Sequence, residues 1–424
     1  MGLRSEGALV LCRNEGGEEL SLADGPVGRA AHHALQELRE GPAEELRSVL
    51  EHAEDVRDED AGRPHPLELG ALLADVPVDD RPKSHAGYRT RALKFGLRLI
   101  QHLGGARELV RLAALADRAG FDAVWFPHDP FMKHAWAMTL AVAEHTERVQ
   151  IGAVGTAPYL NNPADIATYV ATLDELSGGR ALLGLGLHTG EMVEWLGYDA
   201  GDRVERTREA VELIRTLLRG EVASSAGGVY RWNEQAYLRF APQRTEIPIY
   251  VAGFGRDLLE LSGAIGDGSL PMITPPESAP LMVEPIRAGA LAGGRDPAEV
   301  DISGCAWLSL SESDTAAADT LRPLVAYFGH YFGDAELGTV GLGRDDFLPL
   351  KRLVEQGRYE EAAAGVTPEM LRLAIVGTPG RAIEAIERLA AAGITHVNLG
   401  GPLGPDPAEA IRLLGERVIP HFRA

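Results

Sequence analysis

From residue 93 onward the chain carries two hydrophobic rhythms, one of period two and one near 3.6, and they take turns. Residues 93–99, Leu-Lys-Phe-Gly-Leu-Arg-Leu, alternate as a strand does, and residues 106–119 carry helical spacing that closes at Gly120. The same reading predicts strands at 123–126, 149–154, 180–185, 247–252, 269–272, 302–309 and 395–399, with a short one at Ile375. Helices are predicted at 134–145, 162–176, 204–218, from Arg256, near 279–292, at 381–392 and at 407–418. Two stretches fall outside the rhythm: 221–241, read as an inserted hairpin around Gly227-Gly228, and an insertion at 334–371. Strand and helix alternating about eight times predicts parallel strands with helical crossovers. An open doubly wound sheet rarely sustains so many units, so the α/β fold class expected is a (β/α)8 TIM barrel. Such barrels run to about 250 residues, and insertions account for the surplus. Chemistry then belongs on the loops that follow the strands.

Residues 1–92 lack this rhythm and are read as an N-terminal extension, with the barrel at 93–424. Two short helices are predicted within 28–55, separated by Gly41-Pro42. A charge-rich break at 54–63 and Pro64, Pro66, Pro77 and Pro82 follow. Proline at that density disfavours regular structure. A small appended domain, an oligomerisation arm and a cover over the barrel all remain open.

Composition narrows the partners. Of 424 residues, 45% are hydrophobic and 24% charged, the profile of a globular chain. Lys and Arg total 41 against 62 Asp and Glu, a formal net charge of −21. Such a surface is unsuited to nucleic acid and is repelled by anionic lipid. No apolar run is long enough for a membrane helix, and the opening Met-Gly-Leu-Arg-Ser-Glu leads into no signal-peptide core. Cys12 and Cys305 are too few for a disulfide framework or a thiolate metal site. A soluble, cytoplasmic chain acting on a small molecule is expected.

Four loops carry candidate chemistry. Trp125-Phe126-Pro127-His128-Asp129 ends the second strand, and a His beside an Asp is able to bind a substrate oxygen, a flavin edge or a metal. A solvent-facing turn explains the pair equally well. Metal is disfavoured, because His134 is the only other nearby ligand. Val154-Gly155-Thr156 after the third strand is small enough for a flat ligand to approach the backbone, or is an ordinary turn. Gly184-Leu-Gly186-Leu-His-Thr189-Gly190-Glu191 follows the fourth strand and lacks the context of a dinucleotide fingerprint. It presents Glu191 as a candidate proton donor, although a surface glutamate is the plainer reading. Gly253-Phe254-Gly255-Arg256 joins the fifth strand to a helix start, where amides and the helix dipole favour an anion; a tight turn is the alternative.

In order along the chain, these loops and their flanks resemble the bacterial-luciferase-like superfamily, in particular its deazaflavin-dependent branch. The resemblance rests on Asn162-Asn-Pro-Ala-Asp-Ile-Ala with residues 171–186, Thr-Leu-Asp-Glu-Leu-Ser-Gly-Gly-Arg-Ala-Leu-Leu-Gly-Leu-Gly from Thr172. It rests also on Pro248 to Gly255 with Ala264-Ile-Gly-Asp-Gly268, and on Val376-Gly-Thr-Pro-Gly380 with Ala392 to Val397. It covers the chain from about Leu93 to the end, and within that branch the chain is similar to methylenetetrahydromethanopterin reductases and deazaflavin-dependent sugar-phosphate dehydrogenases.

The resemblance implies a barrel that binds coenzyme F420, or alternatively FMN, at the strand C-termini, and a homodimer. Val154, Gly155, Thr156, Gly186, Thr189, Gly190, Gly253, Phe254 and Gly255 would line the cofactor, with its phosphate against Gly253 to Gly255. In the dehydrogenases a Thr-Gly-Glu after the fourth strand supplies an acid, here Thr189-Gly190-Glu191, so Glu191 is the expected proton donor with His128 and Asp129 as companions. Those relatives read Asp-His where this chain reads His128-Asp129. A non-proline cis peptide is implied at Val154–Gly155, backing the cofactor ring. Three functions follow: hydride transfer with F420, an FMN-dependent two-component monooxygenase with a separate flavin reductase, or a flavin-binding protein without turnover.

Overall fold

The computed structural model describes residues 93–186, 190–199, 201–225 and 228–423, together with two short antiparallel strands, Cys12–Arg13 and Leu20–Ser21. The helices expected within 28–55 lie outside the described residues. By its internal contacts the chain divides at Ala86/Gly87, and the barrel belongs to the second unit.

Eight strands close on themselves: β1 Lys94–Arg98, β2 Ala123–Pro127, β3 Gln150–Thr156, β4 Ala181–Gly186, β5 Ile249–Gly253, β6 Gly268–Pro271, β7 Asp301–Leu310 and β8 His396–Leu403. Every neighbouring pair is parallel, and β8 joins β1 in register His396↔Lys94. The ring closes through Gly268↔Asp301 and Ser269↔Ile302 between β6 and β7. Above that point β7 pairs instead with a short strand, Ile375–Gly377. The fold is a (β/α)8 TIM barrel.

The helices are α1 Ala106–Ala119, α2 Ala135–Ala143, α3 Pro163–Leu176, α4 Gly190–Trp195, α5 Arg203–Leu218, α6 Arg256–Ile265, α7 Ala279–Ala292, α8 Asp314–Phe328, α9 Pro379–Ala392 and α10 Pro407–Leu413, with further helical segments between α8 and α9, among them Arg344–Glu355. Local chemistry sets several ends. Gly120 takes φ 88° to close α1, and the Asn162 side chain accepts the Ala164 N–H at the start of α3, with Pro163 behind it. Across the glycine pair of the hairpin expected at 221–241, Ser225 and Trp232 form an antiparallel bridge and the Ala223 N–H donates to Ala236 O at 2.8 Å, while 226–227 fall outside the described residues. The remaining described residues of the segment are irregular, because the flanks alternate too briefly for regular strands. The segment expected as an insertion, 334–371, packs with α8 against Trp307 of β7 in a cluster that includes Leu321, Val325, Phe332 and Phe347.

Strand alternation sorts the core into two layers. Phe95, Leu97, Leu99, Val124, Ile151, Leu183 and Val251 face the helices. Trp125, Val154, Leu182, Tyr250, Ala252, Leu270 and Cys305 face the barrel axis. Trp125 and Tyr250 meet edge to face at 5.3 Å and fill the middle of the barrel. They fit because Gly152 and Gly268 stand opposite: a Cβ on either would collide with the Trp125 or Tyr250 ring.

Below them lies a charge. Asp301 accepts hydrogen bonds from Lys94 at 3.0 Å, Tyr250 at 2.6 Å and Thr395 at 2.7 Å, with His396 Nδ1 at 3.5 Å. Burial pushes its carboxyl upward, but His396, Lys94 and Tyr250 outweigh it and hold the group far below the usual carboxylate range. A folded value below the unfolded one contributes stability that is whole above the unfolded value and fades as pH falls. The melting temperature of the wild type is therefore expected to fall once pH drops below about 4. Asp301→Asn, which strands Lys94 and His396, is expected to cost about 3 kcal/mol at neutral pH and to flatten that acid slope in a pH series of melts. Equal acid slopes in the two proteins would remove Asp301 from the account.

All eight strands lie downstream of Leu93, so residues 90–424 expressed alone are expected to give a soluble product with a cooperative melt. An insoluble or non-cooperative product would make the extension part of the barrel's core.

Candidate active site

The strand C-termini form one end of the barrel, and β3 is irregular there. Its pairing with β4 runs Val154↔Gly184 and then Thr156↔Leu185, so Gly155 is an extra residue, a β-bulge with φ 79°. The bulge leaves Val154 facing the axis and turns Thr156 to the face of Leu185, where its buried hydroxyl has no hydrogen-bond partner among the described residues. His128 N–H donates to the Val154 carbonyl at 2.7 Å, fixing the bulge to the end of β2. Among the described residues the space over Gly155 is open: the nearest atom to a Cβ placed there is His128 O, 3.9 Å away. The expected cis peptide is absent. Among the described residues the cis bond is Gly401–Pro402, and Val154–Gly155 is trans. The positive φ of glycine absorbs the extra residue instead.

His128 sits in an aromatic stack rather than alone at the mouth. Its ring is 5.2 Å from Trp136 and 5.7 Å from His134, and Trp136 lies flat on Tyr169 at 4.4 Å. Tyr169 in turn shares a 2.7 Å hydrogen bond with Thr139, and burial pushes its phenol up. Asp129 shapes the turn: its Oδ1 accepts the Phe131 N–H at 2.9 Å.

The loop after β4 begins at Gly186 and re-enters as α4 at Gly190, with Thr189 outside the described residues and Glu191 in the first turn of α4. Gly184 and Gly186 are sites of close approach: a Cβ would stand 2.8 Å from Ala153 O at the first and 2.9 Å from Ala252 at the second. At the end of β5, Gly253 and Phe254 lead to Gly255, which precedes α6 with φ 89°. The anion site expected there is partly filled. Asp257 Oδ1 accepts the Leu258 N–H at 2.9 Å, and Arg256 pairs outward with Glu260 at 2.7 Å and Glu284 at 3.4 Å.

Sequence reading missed the opposite side of the mouth, between β7, β8 and β1. Arg98, the last residue of β1, is 6% exposed and donates from Nη1 to Met272 O at 3.3 Å. Asn398 Nδ2 reaches Cys305 Sγ at 3.5 Å. Burial pushes the Cys305 thiol up, while Arg98 and Asn398 pull it down. The signal was present in the strand pattern: Lys94, Gly96 and Arg98 share the parity opposite to Phe95, Leu97 and Leu99, which pack on helices.

The family's most recognisable block does structural work. Asp174 holds Arg244 and accepts the Ala181 N–H at 3.2 Å, and Arg180 donates to Val149 O at 2.9 Å and Ala143 O at 3.1 Å. It locks the start of β4 to its neighbours.

A parallel eight-stranded barrel with a bulged third strand, a glycine-lined floor and loops gathered at the strand C-termini is the scaffold of a barrel enzyme that receives a flat ligand at its mouth. Residues 87–396 match the model of the luciferase-like monooxygenase family, and the chain belongs to that family. It is 31% identical to a 5,10-methylenetetrahydromethanopterin reductase of Archaeoglobus fulgidus over 336 residues, covering 78% of this chain and 100% of the relative. It is 29% identical to an F420-dependent glucose-6-phosphate dehydrogenase of Amycolatopsis mediterranei, over 78% of this chain and 99% of the relative. The solved coenzyme F420-dependent tetrahydromethanopterin reductase of Methanopyrus kandleri superposes with a TM-score of 0.74 at 26% identity, over 78% of this chain and 99% of that one.

Proposed function

We propose that this protein is an oxidoreductase that transfers hydride between coenzyme F420 and a small organic substrate. The observation that carries the reading is the open backbone over the Gly155 bulge, in a barrel similar to F420-dependent enzymes along most of its length. When bound, F420 supplies a carbon-centred hydride donor or acceptor that reacts poorly with oxygen. Val154, Gly155 and Thr156 form the wall against its flat ring. The small residues Gly184 and Gly186 let the β4 edge approach it, and Gly253, Phe254 and Gly255 face its phosphate side. Glu191, in the first turn of α4, handles the accompanying proton. His128, stacked on Trp136, and Asp129, tied to the Phe131 amide, keep the β2 loop in place beside it.

F420 is expected to bind the purified apo-protein tightly and saturably, and FMN weakly. Preference for FMN would move the protein to the flavin-dependent monooxygenases. Glu191→Gln is expected to lower turnover 10²- to 10⁴-fold with F420 affinity held; unchanged turnover would remove Glu191 from the chemistry.

The Asp257 carboxylate competes for the amides at the start of α6. Asp257→Asn is therefore expected to tighten F420 binding about two- to fivefold at low salt. An unchanged affinity would place the phosphate away from Gly253 to Gly255.

A further inference from the structure

The mouth of the barrel has two unlike sides. Along β3, β4 and β5 it is backbone and glycine, the side given above to the cofactor. Across from it, between β8 and β1, stands Arg98. Arg98 carries a guanidinium and is 6% exposed as a residue, yet among the described residues no carboxylate pairs with it. Nη1 reaches a carbonyl, Met272 O, at a long 3.3 Å, and Nε is buried without a hydrogen-bond partner among the described residues. The groups around it are neutral: Cys305 from β7, Asn398 and Gly400 from β8, and Met272 after β6. His102, just beyond β1, is held low by burial and by Arg98 itself, so it stands there as a neutral ring and not as a second cation.

A buried charge without a partner costs several kcal/mol, and a guanidinium in that state is satisfied by an electron-rich oxygen brought from outside. The backbone makes room for it. A Cβ on Gly400 would stand 2.6 Å from Arg98 Nη2, so glycine at that position lets the fork lie flat against β8. Trp125, the register partner of Arg98, and Tyr250 fill the middle of the barrel, so the approach to the guanidinium is from the mouth.

We propose that Arg98 is the substrate-anchoring residue of this site and sets its substrate class: a molecule that presents a carboxylate or carbonyl oxygen toward β1. A cationic acceptor such as an iminium would meet a fixed like charge there. The assignment rests on the hydride-transfer reading only in giving the β3–β5 side to the cofactor.

The test is calorimetric titration of the full chain loaded with F420, using benzoate, its neutral isostere benzamide and the cation benzylamine. Wild type is expected to bind benzoate at least tenfold more tightly than benzamide, and benzylamine least. Arg98→Met is expected to erase that order while F420 affinity stays within about threefold of wild type. The same order in Arg98→Met, or no order in wild type, overturns the proposal. A collapse of F420 affinity in Arg98→Met overturns it too, because the guanidinium would then serve the cofactor's ring edge. If Arg98→Met gives no cooperative melt, Gly400→Ala carries the test. Its methyl displaces the guanidinium and is expected to cut the benzoate preference; an unchanged preference overturns the proposal. A wild type that does not bind F420 sinks the hydride-transfer reading alone. The benzoate series on the unloaded chain then still decides Arg98.

Discussion

A closed barrel of eight strands must fill its own axis, and the rest of this molecule follows from how that is done. Two large aromatic side chains, Trp125 and Tyr250, occupy the middle, and they fit only because Gly152 and Gly268 lack side chains. Under them the buried Asp301 carboxylate gathers Lys94, Tyr250 and Thr395, tying β1, β5 and the start of β8 to β7. Both devices sit at the middle and the N-terminal end of the strands. The packed core therefore stops short of the C-terminal end.

What remains above, among the described residues, is a layer of small or neutral groups, Val154, Gly184, Ala252, Met272, Cys305 and Gly400, with the cation Arg98 among them. That contrast gives the mouth its chemistry. The β3 bulge offers bare backbone to a flat ring, and Arg98 offers charge to an oxygen across from it. Stability and function are thus separated along the barrel axis, as the fold allows. The family block at 172–186 lies on the stabilising side of that division for most of its length, because Asp174 and Arg180 are spent on β3 and β4.

Much of the fold was legible in the chain, because a strand or helix is set by the spacing of neighbouring side chains. The expected strand at 180–185 and the observed Ala181–Gly186 differ by one residue, and the helix expected at 106–119 is found there. The reading was coarser where the signal was a break rather than a period. Gly227-Gly228 says that a helix cannot continue, not how far strands pair on either side, and among the described residues that pairing is the single bridge Ser225↔Trp232. The cis bond inferred at Val154–Gly155 failed for a related reason. A bulge is demanded there, but a glycine satisfies it through a positive φ with a trans peptide.

Site chemistry divides in the same way. Sequence by itself determined which residues end each strand, and so which of them face a common mouth: His128, Gly155, Gly186, Gly255. Order along the chain suffices for that, since every parallel strand in a barrel points the same way. Tertiary structure alone decided what those residues touch. It drew His128 into a stack with Trp136 and Tyr169, set Asp257 across the amides of α6, and brought Arg98 against Met272, 174 residues away. A charge is recognised as unpaired only when every group around it is known, and those groups come from strands that meet only on closing the barrel.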